Sequence, residues 1–240
     1  MINRQDASLD VAENAKGAQK LRPSFIAVLA QSLDGFIANS RSDPLPWIPK
    51  EDKLWFKHIA QATRHVVIGR QTFLVLPKVA LKNRIHWVLS TRSPQSYVFR
   101  LQEHFGLTNL DLTPVFTDKL QRYQAGQDTV QDAVKIYRLS DSVFWVHTSK
   151  GSQSFDTQLK TLLRFWYEEG IKKMVIAGGA HIYDLFFRKD LVDELYLTIV
   201  MTVLGQGIAW DEYNYIKRFQ LQDILTKSTD YIRLYFKRKE

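Results

Sequence analysis

The sequence contains no cysteine among its 240 residues. This absence excludes disulfide bonds, a thiol nucleophile and thiolate metal ligands, and it fits a chain kept in the reducing cytoplasm. No apolar run reaches the length of about 18 residues that a membrane-spanning helix needs, so no membrane association is predicted. No metal site is predicted either.

Acidic residues are in deficit, with 25 of them against 33 basic residues and a net charge of +8. A basic balance favours anionic partners such as phosphorylated cofactors, acidic substrates or nucleic acid. The positive residues are scattered, and their densest cluster, Lys237–Lys239, lies at the very end of the chain. We therefore expect a small-molecule substrate and no nucleic acid.

The chain divides into a polar beginning and one α/β domain. Residues 1–22 show no sustained apolar period and no signal-peptide core, which predicts a flexible tail. Residues 23–240 alternate apolar strand patterns with helical spacing, which predicts a mostly parallel central sheet with flanking helices. Residues 93–154 are predicted to form a long insertion, in which residues 123–138 have only weak helical spacing.

The predicted strands are Phe25–Ala30, His65–Ile68, Ile85–Ser90, Thr113–Phe116, Ser142–Val146, Val175–Ala177, Glu194–Val203 and Tyr231–Lys237. The clearest predicted helices are Lys50–Ala62 and Phe155–Gly170.

The last of these strands has the alternation of an antiparallel edge strand. Ile232, Leu234 and Phe236 are predicted to face inward, and the charged residues between them to face outward.

Three of the predicted strands run directly into small or basic residues. Val175–Ala177 is followed by the glycines Gly178 and Gly179 and then by helical spacing, which places a helix amino end next to a turn without side chains. The other two strands end at 69–72 and at 90–92. Because ligands of open α/β sheets lie at the carboxyl ends of the strands, this repetition predicts a nucleotide cofactor.

Four blocks of the sequence carry a family resemblance: 25–38, 45–73, 81–92 and 173–207. These blocks resemble dihydrofolate reductase. The most specific matches are Pro46–Trp47 with Asp52 and Trp55–Lys57, then Val67–Phe73, and then Ile176–Tyr183 followed by Val192–Thr198. The wider superfamily includes the reductase domain of bacterial riboflavin biosynthesis. The resemblance implies a single-domain dihydrofolate-reductase-like fold and hydride transfer from NADPH to dihydrofolate, giving tetrahydrofolate.

The resemblance also implies catalytic and substrate-binding residues. Asp52 matches the carboxylate that grips the pterin ring and supports its protonation, which requires an apolar pocket. From the residues alone, Asp52 is equally explained as a helix-capping residue, and Glu51 is an equal candidate. Arg84 matches the arginine that holds the substrate carboxylate. The other implied residues are Trp47, which orders water near the carboxylate, Thr198, its hydroxyl partner, Phe56, which packs on the substrate, and the backbone of Val28.

Cofactor residues follow from the same matches, and the cofactor implied is NADPH. Arg70 with Thr91 would recognise a 2′-phosphate, and Tyr183 would lie near the nicotinamide. The implied cofactor-binding residues are Ala27, Ile37, Gly69, Arg70, Gln71, Thr72, Ser90, Thr91, Arg92, Gly178, Gly179, Ala180, His181, Ile182 and Tyr183.

Two alternatives to a dihydrofolate reductase remain. Segments 32–38, 162–171 and 203–207 resemble the riboflavin-type reductase more closely, and 77–80 lacks the glycine that the folate enzymes often have before the strand at Ile85. Such an enzyme would act on a ribosylamino-pyrimidine phosphate and would need a phosphate grip at Arg84. A non-catalytic nucleotide-binding descendant is the second alternative. The oligomeric state, for which a homodimer stays open, is not set by the sequence.

Overall fold

The computed structural model describes residues 21–40, 43–105, 110–123, 134–148, 152–210 and 214–239. A ten-stranded sheet and a separate two-stranded ribbon form its framework. The strands are β1 (Ser24–Ser32), β2 (Phe36–Ala38), β3 (His65–Gly69), β4 (Ile85–Ser90), β5 (Pro114–Val115), β6 (Lys135–Ser140), β7 (Val143–His147), β8 (Lys173–Ile176), β9 (Val192–Val200), β10 (Ile208–Ala209), β11 (Phe219–Lys227) and β12 (Tyr231–Arg238).

The order of the large sheet is β11-β12-β9-β1-β8-β3-β4-β7-β6-β5. Its six central strands, from β9 to β7, are mutually parallel, and β12 and β6 flank them in antiparallel pairing. The predicted fold class, a mostly parallel sheet with flanking helices and antiparallel strands at the C-terminal end, is confirmed. The carboxyl ends of six strands therefore meet at one edge of the sheet.

Helices cover both faces of the sheet: α1 (Lys50–Thr63), α2 (Arg70–Phe73), α3 (Val98–Phe105), α4 (Thr117–Tyr123), α5 (Ser152–Glu168) and α6 (Ala180–Arg188). Side chains alternate along β1, so that Phe25 and Ala27 face α5 and α6, whereas Ile26 and Val28 face α1. None of the helices in the described ranges is long and apolar enough to cross a membrane.

Two parts of the fold differ from the sequence prediction. Residues 123–138 were predicted as a weak helix, but Lys135–Ser140 is strand β6, paired with β5 and β7. The prediction was wrong there because Ile136 and Tyr137 are buried on opposite faces of a covered strand, which removes the alternation. Residues 124–133 lie outside the described residues, and so do residues 1–20 of the predicted tail. β11 was missed because this edge strand exposes most of its side chains.

The predicted insertion at 93–154 contributes α3, α4 and the strands β5, β6 and β7, which extend the sheet beyond β4. Its status as an insertion, like the domain boundary at residue 23, stays a prediction.

The interior of β4 holds one neutral histidine. His86 is 1% exposed, and its Nδ1 atom has no hydrogen-bond partner among the described residues. Burial, together with the positive charge of nearby Arg84, lowers the pKa of His86 from 6.5 to about 4. The folded protein therefore keeps this imidazole uncharged at neutral pH.

We expect His86 to make folding sensitive to acid. Between pH 6.5 and about 4 the unfolded chain binds a proton that the folded chain does not, so stability falls as the pH falls through this window. The loss attributable to His86 is about 3 kcal/mol. Urea unfolding at pH 7.5 and pH 4.5 should show a smaller loss in His86→Leu than in the wild type. Equal losses in both proteins would contradict this assignment.

Candidate active site

A buried carboxylate lies at the carboxyl edge of the sheet. Asp52 is in the first turn of α1 and is 7% exposed. Its Oδ1 atom accepts a hydrogen bond of 2.6 Å from the Thr198 hydroxyl, near the end of β9. The same oxygen accepts a second bond, of 2.8 Å, from an Nη2 hydrogen of Arg233 on β12. Asp52 is thus tied to two strands rather than only capping its own helix.

Arg233 was not predicted as a site residue, and the expectation that the charges of the last strand face outward is wrong for it. Arg233 is 4% exposed and lies opposite Thr198 in the antiparallel pairing of β12 with β9. Its guanidinium carbon is 4.1 Å from the centre of the Trp55 ring. Because α1 covers this face of β12, the arginine is buried, and a carboxylate and an aromatic face satisfy its charge.

The aromatic residues of α1 form the wall beside Asp52. Trp55 and Phe56 pack against the cluster of Ile26, Val28 and Val175 on the sheet, and Trp55 contacts Tyr196 edge to face at 5.1 Å. The carboxylate therefore lies beside an apolar surface that suits a flat heterocyclic ring.

Tyr183 connects the carboxylate region to the glycine pair. Its hydroxyl donates a 2.7 Å hydrogen bond to the Val28 carbonyl, so this phenol is anchored to the centre of the sheet. Burial raises the pKa of Tyr183, and the negative charge of Asp52 raises it further, which keeps the phenol neutral. Gly178 has φ = +87°, and a Cβ there would lie 2.9 Å from the Tyr183 ring, so both its conformation and its space require glycine.

The strand ends at 69–72 and 178–182 are in direct contact. The Gly69 amide donates a 2.8 Å hydrogen bond to the Gly178 carbonyl. A Cβ on Gly69 would lie 2.9 Å from the Ile182 side chain, and a Cβ on Gly179 would lie 2.8 Å from the Thr72 hydroxyl. The peptide bond between Gly178 and Gly179 is cis. The structure therefore brings two of the three predicted strand ends together at the start of α6.

Arg70, at the 69–72 strand end, and Arg92, at the 90–92 strand end, share one tyrosine. The Arg70 guanidinium lies 4.7 Å from the centre of the Tyr97 ring, and Arg92 donates a 3.4 Å hydrogen bond to the Tyr97 hydroxyl. Neither arginine forms an ion pair with a described acidic residue. Ser90 is 6% exposed, and its hydroxyl bonds the backbone of Arg92. This cluster offers unneutralised positive charge to a phosphate. Tyr97 was missed because nothing in its local sequence distinguishes it from a core aromatic.

The other residues that the sequence predicted for the site differ in their burial and in their distance from Asp52. Trp47 lies in the loop before α1 and donates its indole N–H to Asp43 at 3.4 Å, with no contact to Asp52 among the described bonds. Ile37 is on β2 and packs against the core. Ala27 is fully buried in β1, and Ala180 is half-buried at the start of α6. The exposed residues are Gln71, Thr91, Arg92 and His181.

Arg84 lies at the opposite end of α1 from Asp52. With Gln61 and Arg64 it lines an open cavity of about 760 Å³. Gln61 follows Asp52 by nine positions in α1, which is a rise of about 14 Å along the helix. Arg84 is 7% exposed, its Nε atom has no partner among the described residues, and burial lowers its pKa. The structure therefore does not place Arg84 beside the carboxylate. Arg84 directly precedes β4 and lies at the amino edge of the sheet, whereas Asp52 lies at the carboxyl edge.

The RibD C-terminal domain family matches residues 23–232 of the chain. Among curated proteins, the Bacillus subtilis protein YwjB is 25% identical over 189 residues, covering 76% of this chain and 79% of its own length.

Solved structures with the same fold include riboflavin enzymes. The deaminase and 5-amino-6-(5-phosphoribosylamino)uracil reductase of Thermotoga maritima superposes with a TM-score of 0.59 at 16% identity, covering 92% of this chain. The chain spans 58% of that protein. The riboflavin biosynthesis reductase of Saccharomyces cerevisiae superposes with a TM-score of 0.56 at 16% identity, covering 93% of both chains.

We expect the loss of one partner of the buried Asp52–Arg233 ion pair to destabilise the fold strongly. Asp52→Ala should lower the free energy of unfolding by about 3–5 kcal/mol, because it leaves a buried guanidinium without a counter-charge. Asp141→Ala is the control, since the Asp141 pair with Arg138 is exposed, and it should change stability little. Urea unfolding measures both. The double variant Asp52→Leu/Arg233→Met should recover most of the loss, and a double variant as unstable as Asp52→Ala would contradict this account.

Proposed function

The chain belongs to the RibD C-terminal domain family, and we propose that it is an NADPH-dependent reductase of the riboflavin-biosynthesis type. Its substrate in this proposal is a ribosylamino-pyrimidine phosphate. The observation that carries the proposal is the buried carboxylate of Asp52 beside an apolar wall, at the sheet edge where the glycine turns and the unpaired arginines also lie.

The cofactor-binding part of the proposal rests on the three strand ends. The turn at Gly178 and Gly179 leads into the amino end of α6, which favours a pyrophosphate. Arg70, Thr91 and Arg92 would hold the 2′-phosphate, and Ala27, Ile37 and Tyr183 would lie along the nicotinamide. When bound, NADPH supplies the hydride, and the protein supplies position and charge.

The pyrimidine ring would lie at Asp52. Trp55 and Phe56 offer an aromatic wall to the ring, and the Asp52 carboxylate offers a hydrogen-bond acceptor that fixes its orientation. A grip of Arg84 on the substrate's phosphate, which the sequence suggested, has no support from this geometry, because Arg64 and Arg84 precede β3 and β4 and so line a cavity at the opposite, amino edge of the sheet.

The folate substrate has less support than the pyrimidine. The family match favours the riboflavin-type alternative, and the ion pair with Arg233 differs from the lone carboxylate in an apolar pocket that pterin protonation requires. A non-catalytic nucleotide-binding protein remains the second candidate, and the following assay separates it from both enzymes.

We expect NADPH to be oxidised in the presence of the ribosylamino-pyrimidine phosphate and not with dihydrofolate, as followed by NADPH absorbance. Asp52→Asn should lower the turnover number by about a hundredfold or more, because it removes the charged acceptor. Asp118→Asn should keep the wild-type rate, since Asp118 is exposed in the first turn of α4, outside every part of the proposed site. No oxidation with either substrate would refute both enzyme hypotheses.

Cofactor preference is a separate prediction. Arg70→Gln and Arg92→Gln should each weaken NADPH binding about tenfold, since each removes a charge-assisted bond to the 2′-phosphate. NADH binding should stay unchanged, and fluorescence titration measures both. Arg188→Gln is the control, because Arg188 pairs with Asp184 at the far end of α6. Equal weakening of NADH and NADPH would place the two arginines outside the 2′-phosphate site.

A further inference from the structure

The cavity that Arg84 lines lies at the amino edge of the sheet. Its wall is formed where three neighbouring strands begin, because Arg64 precedes β3, Arg84 precedes β4 and Ser142 precedes β7. The last turn of α1 contributes Gln61. The cavity measures about 760 Å³ and is open to solvent, a size typical of small-molecule sites. Since Asp52 and the glycine turns lie at the carboxyl edge, this cavity is no part of the proposed active site.

Arg84 is a buried cation that the described chain does not neutralise. It is 7% exposed, its Nε atom has no hydrogen-bond partner, and its side chain forms no ion pair with a described residue. Asp141 also lines the cavity, but it pairs with Arg138 and is 96% exposed. A guanidinium removed from water without a counter-charge costs folding free energy. This cost is expected where a ligand supplies the missing charge.

Two further cations line the same cavity. Arg64 and Lys82 are exposed, and neither forms an ion pair with a described residue. The carboxyl end of α1 opposes an anion, but its partial charge of about half an elementary charge is smaller than that of any one of these cations. Gln61, Asn83 and Ser142 add neutral hydrogen-bonding groups to the wall. The wall therefore suits an anion with more than one charge and several acceptor oxygens.

We propose that this cavity binds the phosphate group of a small phosphorylated molecule, with Arg84 as its buried ligand and Arg64 and Lys82 as its exposed ones. A phosphate monoester carries nearly two negative charges at neutral pH and three acceptor oxygens. Guanidinium groups bind such oxygens in pairs of parallel bonds. The ligand binds in addition to the substrate and NADPH, because the cavity and the proposed active site lie at opposite edges of the sheet.

The size and lining of the cavity favour a phosphate ester over the free ion. A water molecule takes up about 30 Å³ of liquid, so an ion only a few times larger would fill a small part of the space. Leu81 and Ile85 give the wall an apolar portion, which the organic part of an ester can contact.

His86 provides a local signal for this site. It is two residues from Arg84, and the charge of Arg84 acts on its imidazole. The full chain, labelled with carbon-13 histidine, is titrated with glycerol 3-phosphate at pH 7.5 without NADPH, and the His86 signal is assigned by its loss in His86→Leu. The signal should shift and saturate, with a midpoint of about 1 mM or lower. A His86 signal that stays unmoved up to about 10 mM would overturn the proposal.

Matched ligands establish what the cavity recognises. Glycerol lacks the phosphate and should leave the His86 signal in place, and acetate, with one charge, should bind more weakly than glycerol 3-phosphate. Inorganic phosphate distinguishes the two sources of a phosphate group. Tighter binding of glycerol 3-phosphate assigns the site to a phosphorylated molecule, whereas tighter binding of the inorganic ion would refute that part of the proposal. Equal effects of acetate and glycerol 3-phosphate would refute the phosphate itself.

Arg84→Met tests the buried ligand in two ways. It should weaken glycerol 3-phosphate binding about tenfold or more, because a charge-assisted hydrogen bond is lost. Without ligand, it should unfold at the same or a higher urea concentration than the wild type, because an unpaired buried charge has been removed. Lys160→Gln is the control, since Lys160 is exposed on α5, and it should change neither property. A folded Arg84→Met with wild-type affinity, or one much less stable than the wild type, would contradict a ligand-binding role.

The exposed cations give a test that does not depend on the folding of Arg84→Met. Arg64→Gln and Lys82→Gln should each weaken binding about threefold, and Asp141→Asn should tighten it, since it removes a negative charge from the wall. Unchanged affinity in all three variants would overturn the proposal. Saturating NADPH should leave the titration unchanged, and loss of binding with NADPH present would show that the two sites are not separate.

Discussion

The ion pair between Asp52 and Arg233 connects the first helix of the domain to its last strand, across 181 residues of sequence. Removing two charges from water costs more than most buried pairs return, so such a pair is a weak source of stability. Its effect here is geometric. It fixes the side chain of Asp52 against β9 and β12, so the carboxylate reaches its position only when β12 has paired with β9. The site is therefore complete only in the fully folded sheet.

Local signals made much of this structure predictable. Buried parallel strands are continuous apolar runs, and glycines mark the turns where backbone approaches backbone, so the strands at 25–30, 65–68 and 85–90 and the turns that follow 69 and 178 could be located from the residues alone. The convergence of these turns follows from the parallel order of the strands. The hydrogen bond between Gly69 and Gly178 joins two of these turns directly.

The features that escaped prediction depend on contacts distant in sequence. Arg233 stands between apolar residues in an alternating strand, a pattern that normally places charge in solvent, and only the packing of α1 onto that face reverses it. Apolar and polar residues do not alternate along β6 because both of its faces are covered. They do not alternate along β11 because most of its side chains are exposed. Tyr97 contacts both Arg70 and Arg92, which follow two different strands, and only the fold brings these three residues together.

The two ends of α1 have opposite electrostatic demands. At the amino end, the helix dipole favours the Asp52 carboxylate, and Arg233 neutralises it, so this end suits an uncharged ring. At the carboxyl end, the dipole favours cations, and Arg64 and Arg84 lie there, with Nε of Arg84 buried and unpartnered within the described chain. Neutral His86 beside Arg84 adds no further positive charge. Because Arg64 and Arg84 directly precede β3 and β4, these cations lie at the amino edge of the sheet, one helix length from the carboxylate. The two ends of α1 are therefore separate electrostatic environments, and only the amino end lies at the sheet edge where the glycine turns meet.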